Sequence, residues 1–292
     1  MMLLEKNQHL AAASSLLGNK SKAKALLQSL SERPEGSFQF IGTNHPNEPY
    51  TLLILNNAGA TATLLAKPPK NEDEIEPIGR LIREGLGELP QSNATLAQTV
   101  MGLREPLLKQ AFLNAGFSKL ATLTFMEQTR PPKKISTQHA ISYKKLSSNQ
   151  DQLLGYLLEE TYIDSLDCPK IHGVRKTQDI IDGHRGYDSK CTQVWFIAEL
   201  ESKPAGVILL NAIPKTSSME LAYIGISPWA RGRGLGHTLM QHITEQAISQ
   251  DFSRITLAVD AANIPALGLY KKWNFIEKNK RDTFIHKLST VC

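Results

Sequence analysis

Residues 219–236, MELAYIGISPWARGRGLG, have the residue types and spacing of an anion-binding turn. An apolar run that predicts a strand ends at Pro228, and an amphipathic run that predicts a helix begins at Leu235. Backbone N–H groups at a helix N-terminus can donate to a ligand, and the helix dipole favours negative charge there. The glycines between strand and helix leave no side chain in front of those amides. The stretch therefore predicts a phosphate site, and more specifically a pyrophosphate site.

Three other interpretations of this stretch remain open. A dinucleotide-binding turn would read G-x-G-x-x-G, but His237 stands in the place of the third glycine. Asp260 does follow the next predicted strand, where a ribose-binding carboxylate would lie. A tight glycine turn without a ligand is the second interpretation. The third is an arginine–glycine segment that binds nucleic acid, although such segments are typically repetitive and are not flanked by a strand and a helix.

The arrangement R-x-x-G-x-G, formed by Arg231, Gly234 and Gly236, resembles the acyl-CoA pyrophosphate loop of the GNAT acetyltransferase superfamily. The predicted order of strands and helices over residues 139–292 is also similar to the GNAT order, most clearly at 219–236 and 260–275. The resemblance implies acetyl-CoA as cosubstrate and transfer of the acetyl group to a primary amine. It implies direct attack by the amine in a ternary complex.

The resemblance also implies which residues contact the cofactor. They are Ile224, Gly225, Ile226, Arg231, Gly232, Arg233, Gly234, Leu235, Gly236 and Asn263. In the family the strand before the loop bulges and frees backbone N–H groups for the thioester. Gly225 inside an apolar strand agrees with a bulge or a close backbone approach, although an ordinary strand glycine is the alternative. Asn263 is also a good helix N-cap, with Pro265 in the first turn, a role that needs no ligand.

Tyr270 and Glu220 are the candidate catalytic residues. Tyr270 occupies the position of the family's tyrosine that protonates the departing thiolate, and a core aromatic is the alternative because it shares a helix face with Leu269 and Trp273. Glu220 precedes the expected bulge, where some members carry a glutamate that receives the amine's proton. Such a base needs a raised pKa, and hence partial burial. A solvated carboxylate is the alternative, and Glu199 is the second choice of base.

Two histidines and three cysteines complete the candidates. His172 and His184 flank an irregular polar segment and could line the acceptor pocket, although surface or capping roles are the alternative. Neither histidine has metal-ligand spacing, so no metal site is predicted. The three cysteines are scattered, which favours a reducing compartment over a disulfide framework. None lies in a motif that suggests a covalent acetyl-enzyme.

The element order of the second half also occurs in the first, so we predict an α/β fold of two tandem GNAT-like domains. Each would contain a mixed, mainly antiparallel sheet flanked by helices. The expected boundaries are 1–130, a proline-containing linker at 131–138, and an acetyl-CoA-binding domain at 139–292. Pro68 and Pro69 stand where the glycine loop would be, and Phe112 stands opposite Tyr270. The first half is therefore interpreted as a degenerate copy with a structural role.

Charge and hydropathy limit the binding partners and the cellular location that the sequence allows. The formal net charge is +5, and the mildly basic second half suits an anionic cofactor but is too weak to indicate nucleic acid. No apolar run approaches the ~20 residues of a membrane span, and no signal peptide is apparent at the N-terminus. We therefore expect a cytoplasmic protein whose partner is a small-molecule or protein amine. A non-catalytic CoA-binding or interaction module is the alternative function.

A short stretch indicates the chemical class of the acceptor. Residues 259–263, followed by Leu269 and Tyr270, resemble one group of tandem GNAT members that act on small molecules. The resemblance implies an amino-sugar or thiol-conjugate acceptor. A protein N-terminus or a ribosomal protein is the other possibility that the family offers.

Overall fold

The computed structural model describes residues 1–43, 50–89, 93–129, 141–147, 149–186 and 191–288. The expected linker at 131–138 lies outside these residues. The helices are α1 (His9–Leu17), α2 (Lys20–Ser31), α3 (Ile75–Glu88), α4 (Pro106–Asn114), α5 (Asp151–Tyr162), α6 (Thr177–Arg185), α7 (Leu235–Ser249) and α8 (Ile264–Lys272). None of the helices in this described part is long and apolar enough to cross a membrane.

The described residues also form strands. They are β1 (Met2–Leu3), β2 (Phe38–Gly42), β3 (Thr51–Asn57), β4 (Thr61–Ala66), β5 (Leu96–Gly102), β6 (Ser118–Gln128), β7 (Ile141–Lys145), β8 (Thr192–Leu200), β9 (Lys203–Ile213), β10 (Ser218–Ile226), β11 (Arg254–Asp260) and β12 (Ile276–Lys287). The chain folds into two compact units. Among the described residues, the first holds 1–120, 186 and 281–288, and the second holds 121–185 and 191–280. The last part of β12 thus belongs to the first unit, and most of β6 belongs to the second.

The first unit contains a mixed sheet between two pairs of helices. The described strands pair in the order β1-β2-β3-β4-β5-β12; in this order the β4–β5 pair is parallel and the other pairs are antiparallel. Side chains of β3 alternate between the two faces, as a strand requires. Leu52 and Ile54 pack in the core with α3 and α4, whereas Leu53 packs with α1 and α2.

The second unit repeats this layering. Its described strands pair in the order β6-β11-β10-β9-β8-β7; here the β10–β11 pair is parallel and the other pairs are antiparallel. Ile208 and Leu210 of β9 pack with α7 and α8, whereas Val207 and Leu209 pack with α5 and α6. Both units are therefore mixed, mainly antiparallel sheets flanked by helices, and the predicted fold class is confirmed.

One prediction about the strands was wrong. The sequence indicates two separate short strands, at Phe275–Glu277 and Thr283–Leu288, but β12 runs without interruption from Ile276 to Lys287. The first six residues of β12 are exposed, so their charges remain in water while the backbone stays extended. Lys278 Nζ also lies 3.4 Å from Glu127 Oε1 on β6. Hydrophobic alternation could not detect this strand segment because neither of its faces is buried.

Candidate functional site

A cavity of about 410 Å³ opens in the second unit, where β10 and β11 separate. The two strands are paired in parallel from Ser218 to Leu221, and their pairing ends there. Between Leu221 and Tyr223 the register of β10 with β9 shifts by one residue, so Ala222 forms a bulge. Backbone groups of a strand point alternately to its two edges. After the bulge, the groups of β10 that do not face β9 therefore face the cavity.

Most of the predicted cofactor residues line this cavity. They are Ile224, Gly225, Ile226, Arg231, Gly232, Gly234, Leu235, Gly236 and Asn263, and Tyr270 lines it as well. Arg233 is exposed and does not line the cavity. The structure therefore brings the strand, the glycine loop and helix α8 around one space, as expected from the sequence.

The glycine loop has the backbone of an anion-binding nest. Gly232 and Gly234 adopt left-handed φ angles of 76° and 81°, and a Cβ atom on either would meet no atom within 4 Å. Gly234 is the N-cap of α7 and, having no side chain, leaves the first amides of the helix uncovered. Gly236 serves packing instead, because its Cβ would lie 3.1 Å from Leu269 of α8. Open space in front of helix amides is the feature that a pyrophosphate requires.

Arg231 holds the loop to the rest of the cavity. Its Nε donates to the carbonyl of Ile226 at 3.0 Å, and its Nη2 donates to the carbonyl of Thr161 at 2.9 Å. These bonds join the end of β10 to the end of α5. The guanidinium is thereby fixed beside the glycine turn, and its charge adds to the positive potential of the helix N-terminus.

Gly225 lets the side chains of Thr161 and Tyr223 lie close to the backbone of β10, and it is not the bulged residue. Its Cβ would lie 2.7 Å from Thr161 Oγ1 and 2.6 Å from the hydroxyl of Tyr223. Those two hydroxyls are hydrogen-bonded to each other at 2.8 Å. Only glycine fits against this pair, which explains a glycine in an otherwise apolar strand.

Tyr270 is buried on α8, with 5% of its surface exposed, and yet it lines the cavity. Burial raises the pKa of its hydroxyl, and the nearby Asp167 raises it further, so the group is protonated at neutral pH. After α8 and its C-cap Trp273, Asn274 adopts a left-handed φ of 60°, and the N–H of Phe275 donates to the carbonyl of Tyr270 at 3.0 Å. Asn274 thus takes the left-handed position that glycine commonly occupies after a helix.

The first unit repeats this helix end without the hydroxyl. Gly116 has a φ of 87°, and the N–H of Phe117 donates to the carbonyl of Phe112 at 3.0 Å. Phe112 is fully buried. The backbone around Phe112 thus matches that around Tyr270, which supports the alignment of the two halves made from sequence.

Asp167 is a cavity residue that sequence reasoning missed. Its Oδ1 accepts a hydrogen bond of 2.9 Å from the N–H of Asp260, and the side chain of Asn263 donates to the same carboxylate. Asp260 Oδ2 in turn accepts from the N–H of Cys168 at 3.3 Å. The segment after α5 is thereby tied to the end of β11 and the start of α8. The irregular, polar character of residues 164–175 was the only sequence signal for this.

Aromatic side chains adjoin the cavity near Tyr223. The rings of Tyr162 and Tyr223 meet edge to face with centroids 5.5 Å apart, and His172 stacks on Tyr162 at 5.2 Å. His184 lies 5.9 Å from the ring of Tyr223. The two predicted histidines therefore lie near this side of the cavity without lining it. Within the described residues, no cluster of His, Cys, Asp and Glu has the arrangement of a metal site.

His184 should make folding stability depend on pH. Burial, together with the positive charge of Arg175, lowers its pKa to about 4. The unfolded chain binds a proton near the ordinary value of 6.5, so protonation favours unfolding below that pH. We expect no effect above pH about 6.5 and a loss of at most about 3 kcal/mol as the pH falls to about 4.

Urea unfolding of the wild-type chain and of His184→Gln at about pH 7.5 and about pH 5 measures this effect. The variant should lose less stability than the wild type between the two pH values. Equal losses would show that His184 is not held neutral by the fold.

Glu220 and Glu199, the predicted bases, do not line the cavity. Glu220 lies on β10 before the bulge, and its carboxylate accepts a hydrogen bond of 3.3 Å from Asn211 Nδ2 on β9. Glu199 lies on β8, and its carboxylate forms an ion pair with Lys144 Nζ of β7 at 2.8 Å. The structure therefore does not bring either glutamate together with Tyr270, and the role of Glu220 as base stays a prediction.

Comparison with known proteins agrees with this geometry. Residues 158–275 match the model of the Acetyltransferase (GNAT) family. The matched range contains the bulged strand, the glycine loop and Tyr270. The second half of the chain therefore carries a domain of the GNAT family, and the class predicted from the sequence is confirmed.

Individual proteins are similar over shorter ranges. A mycothiol acetyltransferase of Jonesia denitrificans is 34% identical over 79 residues, which is 27% of this chain and 25% of that protein. A putative ribosomal protein bS18-alanine N-acetyltransferase of Bacillus subtilis is 41% identical over 54 residues, 18% of this chain and 36% of that protein. The chain thus spans well under half the length of both relatives. The tandem GNAT members that residues 259–263, Leu269 and Tyr270 resemble are the mycothiol synthases, and the first relative agrees with that resemblance.

Solved structures resemble the chain over almost all of its length. A GCN5-related N-acetyltransferase from Sphaerobacter thermophilus has a TM-score of 0.60 at 14% identity, over 96% of this chain and 91% of that one. A tandem GNAT protein from the clavulanic acid biosynthesis pathway has a TM-score of 0.58 at 11% identity, over 99% and 98%. At such identities these likenesses show the fold alone, and the fold is that of tandem GNAT proteins.

Proposed function

We propose that the chain transfers an acetyl group from acetyl-CoA to a primary amine in the cavity of its second unit. The observation that carries this proposal is that a glycine nest at a helix N-terminus and a buried tyrosine hydroxyl line the same cavity. The glycine nest suits the pyrophosphate of acetyl-CoA, and the tyrosine hydroxyl suits the sulfur of its thioester. Membership of the second half in the GNAT family supports the same reaction.

The cavity fits acetyl-CoA by the chemistry of its lining. The amides at the start of α7 would hold the pyrophosphate, with Arg231 beside them. The unpaired edge of β10 after the bulge would hydrogen-bond the pantetheine arm and polarise the thioester carbonyl, as an oxyanion site does. By the family resemblance, the amides that serve are those of Ile224, Gly225 and Ile226.

The chemical step needs no covalent intermediate. The amine nitrogen attacks the thioester carbonyl carbon, a C–N bond forms, and the C–S bond breaks with its electron pair on sulfur. Tyr270 gives its proton to the departing thiolate. Cys168 does not suit a nucleophile, because burial and two neighbouring carboxylates raise its pKa to about 12 and keep the thiol protonated.

The acceptor class is a primary amine on a small molecule or on a protein. The names of the two relatives cover both, since one is a mycothiol acetyltransferase and the other a putative ribosomal protein bS18-alanine N-acetyltransferase. Thiol release from acetyl-CoA over a panel of amines tests the proposal. Amine-dependent release supports transfer, whereas binding of acetyl-CoA without release would favour a non-catalytic module.

The first unit should not bind acetyl-CoA. Its strand β4 leads to Pro68 and Pro69, which lack backbone N–H donors. The turn that follows, Glu72–Glu74, carries three carboxylates where phosphates would lie. Asn71 already caps this turn, accepting a hydrogen bond of 3.2 Å from the N–H of Glu74. An anion at this position would meet like charge and few donors.

We therefore expect one acetyl-CoA per chain in isothermal titration. The titration should be repeated with Gly234→Val, a substitution that lies in the second unit. Loss of all binding in that variant places the site in the second unit. A stoichiometry of two, or full residual binding by the variant, would contradict the interpretation of the first half as degenerate.

A further inference from the structure

Asp167 lies in the proposed cavity with its position fixed. It follows α5, lines the same cavity as Tyr270, and receives hydrogen bonds from the backbone of Asp260 and the side chain of Asn263. Its surface is half-buried, whereas Asp164, the other carboxylate in the lining, is exposed. Asp167 is therefore the carboxylate that an acceptor entering this cavity would meet away from bulk water.

We propose that Asp167 receives the proton of the acceptor's ammonium group, and that the cavity thereby selects acceptors that arrive as cations. This inference rests on the proposed acetyl transfer and adds a residue that contacts the acceptor. It gives the base role to a residue in the lining instead of Glu220, whose carboxylate lies on β10 before the bulge and outside the lining.

The surroundings of Asp167 suit a base. Burial raises the pKa of its carboxyl, the neighbouring Asp260 raises it further, and the two donated hydrogen bonds and His172 act in the opposite direction. A carboxylate with a raised pKa accepts a proton more readily than a solvated one. A cation beside it would also compensate its partly buried charge.

The titratable groups that face Asp167 come from several elements. They are Asp260 at the end of β11, Tyr270 on α8, Tyr223 on β10, Tyr162 on α5, and His172 and Cys168 on its own segment. Burial raises the pKa of Tyr162 and of Cys168 to about 12, and raises those of Tyr223 and Tyr270, so these four are neutral at physiological pH. The positive charge in the same lining is that of Arg231, whose guanidinium is held by the carbonyls of Ile226 and Thr161.

The tyrosine rings at the cavity also favour a positively charged acceptor. Tyr223 lines the cavity, and Tyr162 packs edge to face against it. The faces of tyrosine rings attract cations within about 6 Å of their centroids. A carboxylate and a tyrosine ring in one lining form a site for an ammonium group.

The protons balance in this scheme. The ammonium N–H bond breaks and its proton moves to Asp167, which frees the lone pair for attack on the thioester carbon. Tyr270 protonates the departing sulfur and regains a proton from the nitrogen as the amide forms. Asp167 then releases its proton to solvent, so that an ammonium ion and acetyl-CoA give an amide, a thiol and one proton.

Asp167→Asn and Asp260→Asn form a matched pair for the test. Both carboxylates tie the same segment to the end of β11, but only Asp167 lines the cavity. Asp260→Asn therefore reports the cost of loosening the segment. The probe is the amine with the highest kcat/KM among L-alaninamide, glucosamine and a lysine-containing tripeptide, measured with the wild-type chain.

We expect Asp167→Asn to lower kcat/KM for the probe by about 100-fold or more at neutral pH. The Kd of acetyl-CoA should stay within about twofold, and Asp260→Asn should lose much less. The pH profile separates the two roles further. In the wild type kcat/KM should be level below the pKa of the amine, because the cation is used. In Asp167→Asn it should rise about tenfold per pH unit up to that pKa, because only the neutral amine reacts.

Three outcomes would overturn the inference. Equal losses and unchanged pH profiles in the two variants would show a merely structural role for Asp167. Loss of the level region in Glu220→Gln, with Asp167→Asn unaffected, would make Glu220 the base. A wild-type chain that releases thiol with no amine of the panel would instead contradict the proposed function itself, and with it this inference.

Discussion

Gly234→Val should abolish measurable acetyl-CoA binding while the chain stays folded. A side chain at this position would stand in front of the first amides of α7, where the pyrophosphate is proposed to lie. Hydrogen bonds to a charged group contribute about 1.5–3 kcal/mol each, so the loss of two weakens binding at least about 100-fold. Titration with acetyl-CoA and circular dichroism of the same sample measure affinity and fold together.

Gly18→Val is the matched control for backbone strain. Gly18 has a left-handed φ of 62° and open space around its Cβ position, as Gly234 does, but it does not line the cavity. Both variants carry the cost of a β-branched residue in the left-handed region. If Gly18→Val weakened acetyl-CoA binding as strongly, the loss in Gly234→Val would reflect strain and not a blocked phosphate site.

Tyr270→Phe should reduce kcat by about 10²–10⁴-fold and leave acetyl-CoA affinity nearly unchanged. The ring that packs in the core is retained, and no other described residue hydrogen-bonds the hydroxyl. Stability should therefore change little. Phe112 shows that this helix end folds with phenylalanine, because its backbone bond from Phe117 matches that from Phe275 to Tyr270.

Steady-state kinetics on an accepted amine, with thermal unfolding as a control, test this prediction. Near-normal turnover would reduce Tyr270 to a packing residue and leave water or another group to protonate the thiolate. A large loss of both stability and turnover would show instead that the hydroxyl supports the fold.

The cofactor side of the cavity could be predicted from sequence because its signals are local. Gly232, Gly234 and the start of α7 lie within a few residues of one another, and helix periodicity fixes where their amides point. The glycine at 225 was also informative, although it marks contact with Thr161 and the bulge falls at Ala222. Short-range rules were sufficient here.

The acceptor side could not be predicted because it depends on contacts between distant residues. Asp167 is held at the cavity by the N–H of Asp260, 93 residues later, and by the side chain of Asn263. Glu220 was the candidate base in the sequence, but the bulge falls after it and its carboxylate meets Asn211. The exposed start of β12 was missed for a related reason, since backbone pairing leaves no pattern in side chains that face water.

Amine-dependent thiol release is the measurement that tests the central claim most directly. The wild-type chain should release one thiol per acetylated amine, with Gly234→Val inactive through lost binding and Tyr270→Phe inactive through slow turnover. Saturable acetyl-CoA binding with no thiol release on any amine, or release that both variants sustain at the wild-type rate, would contradict acetyl transfer in this cavity.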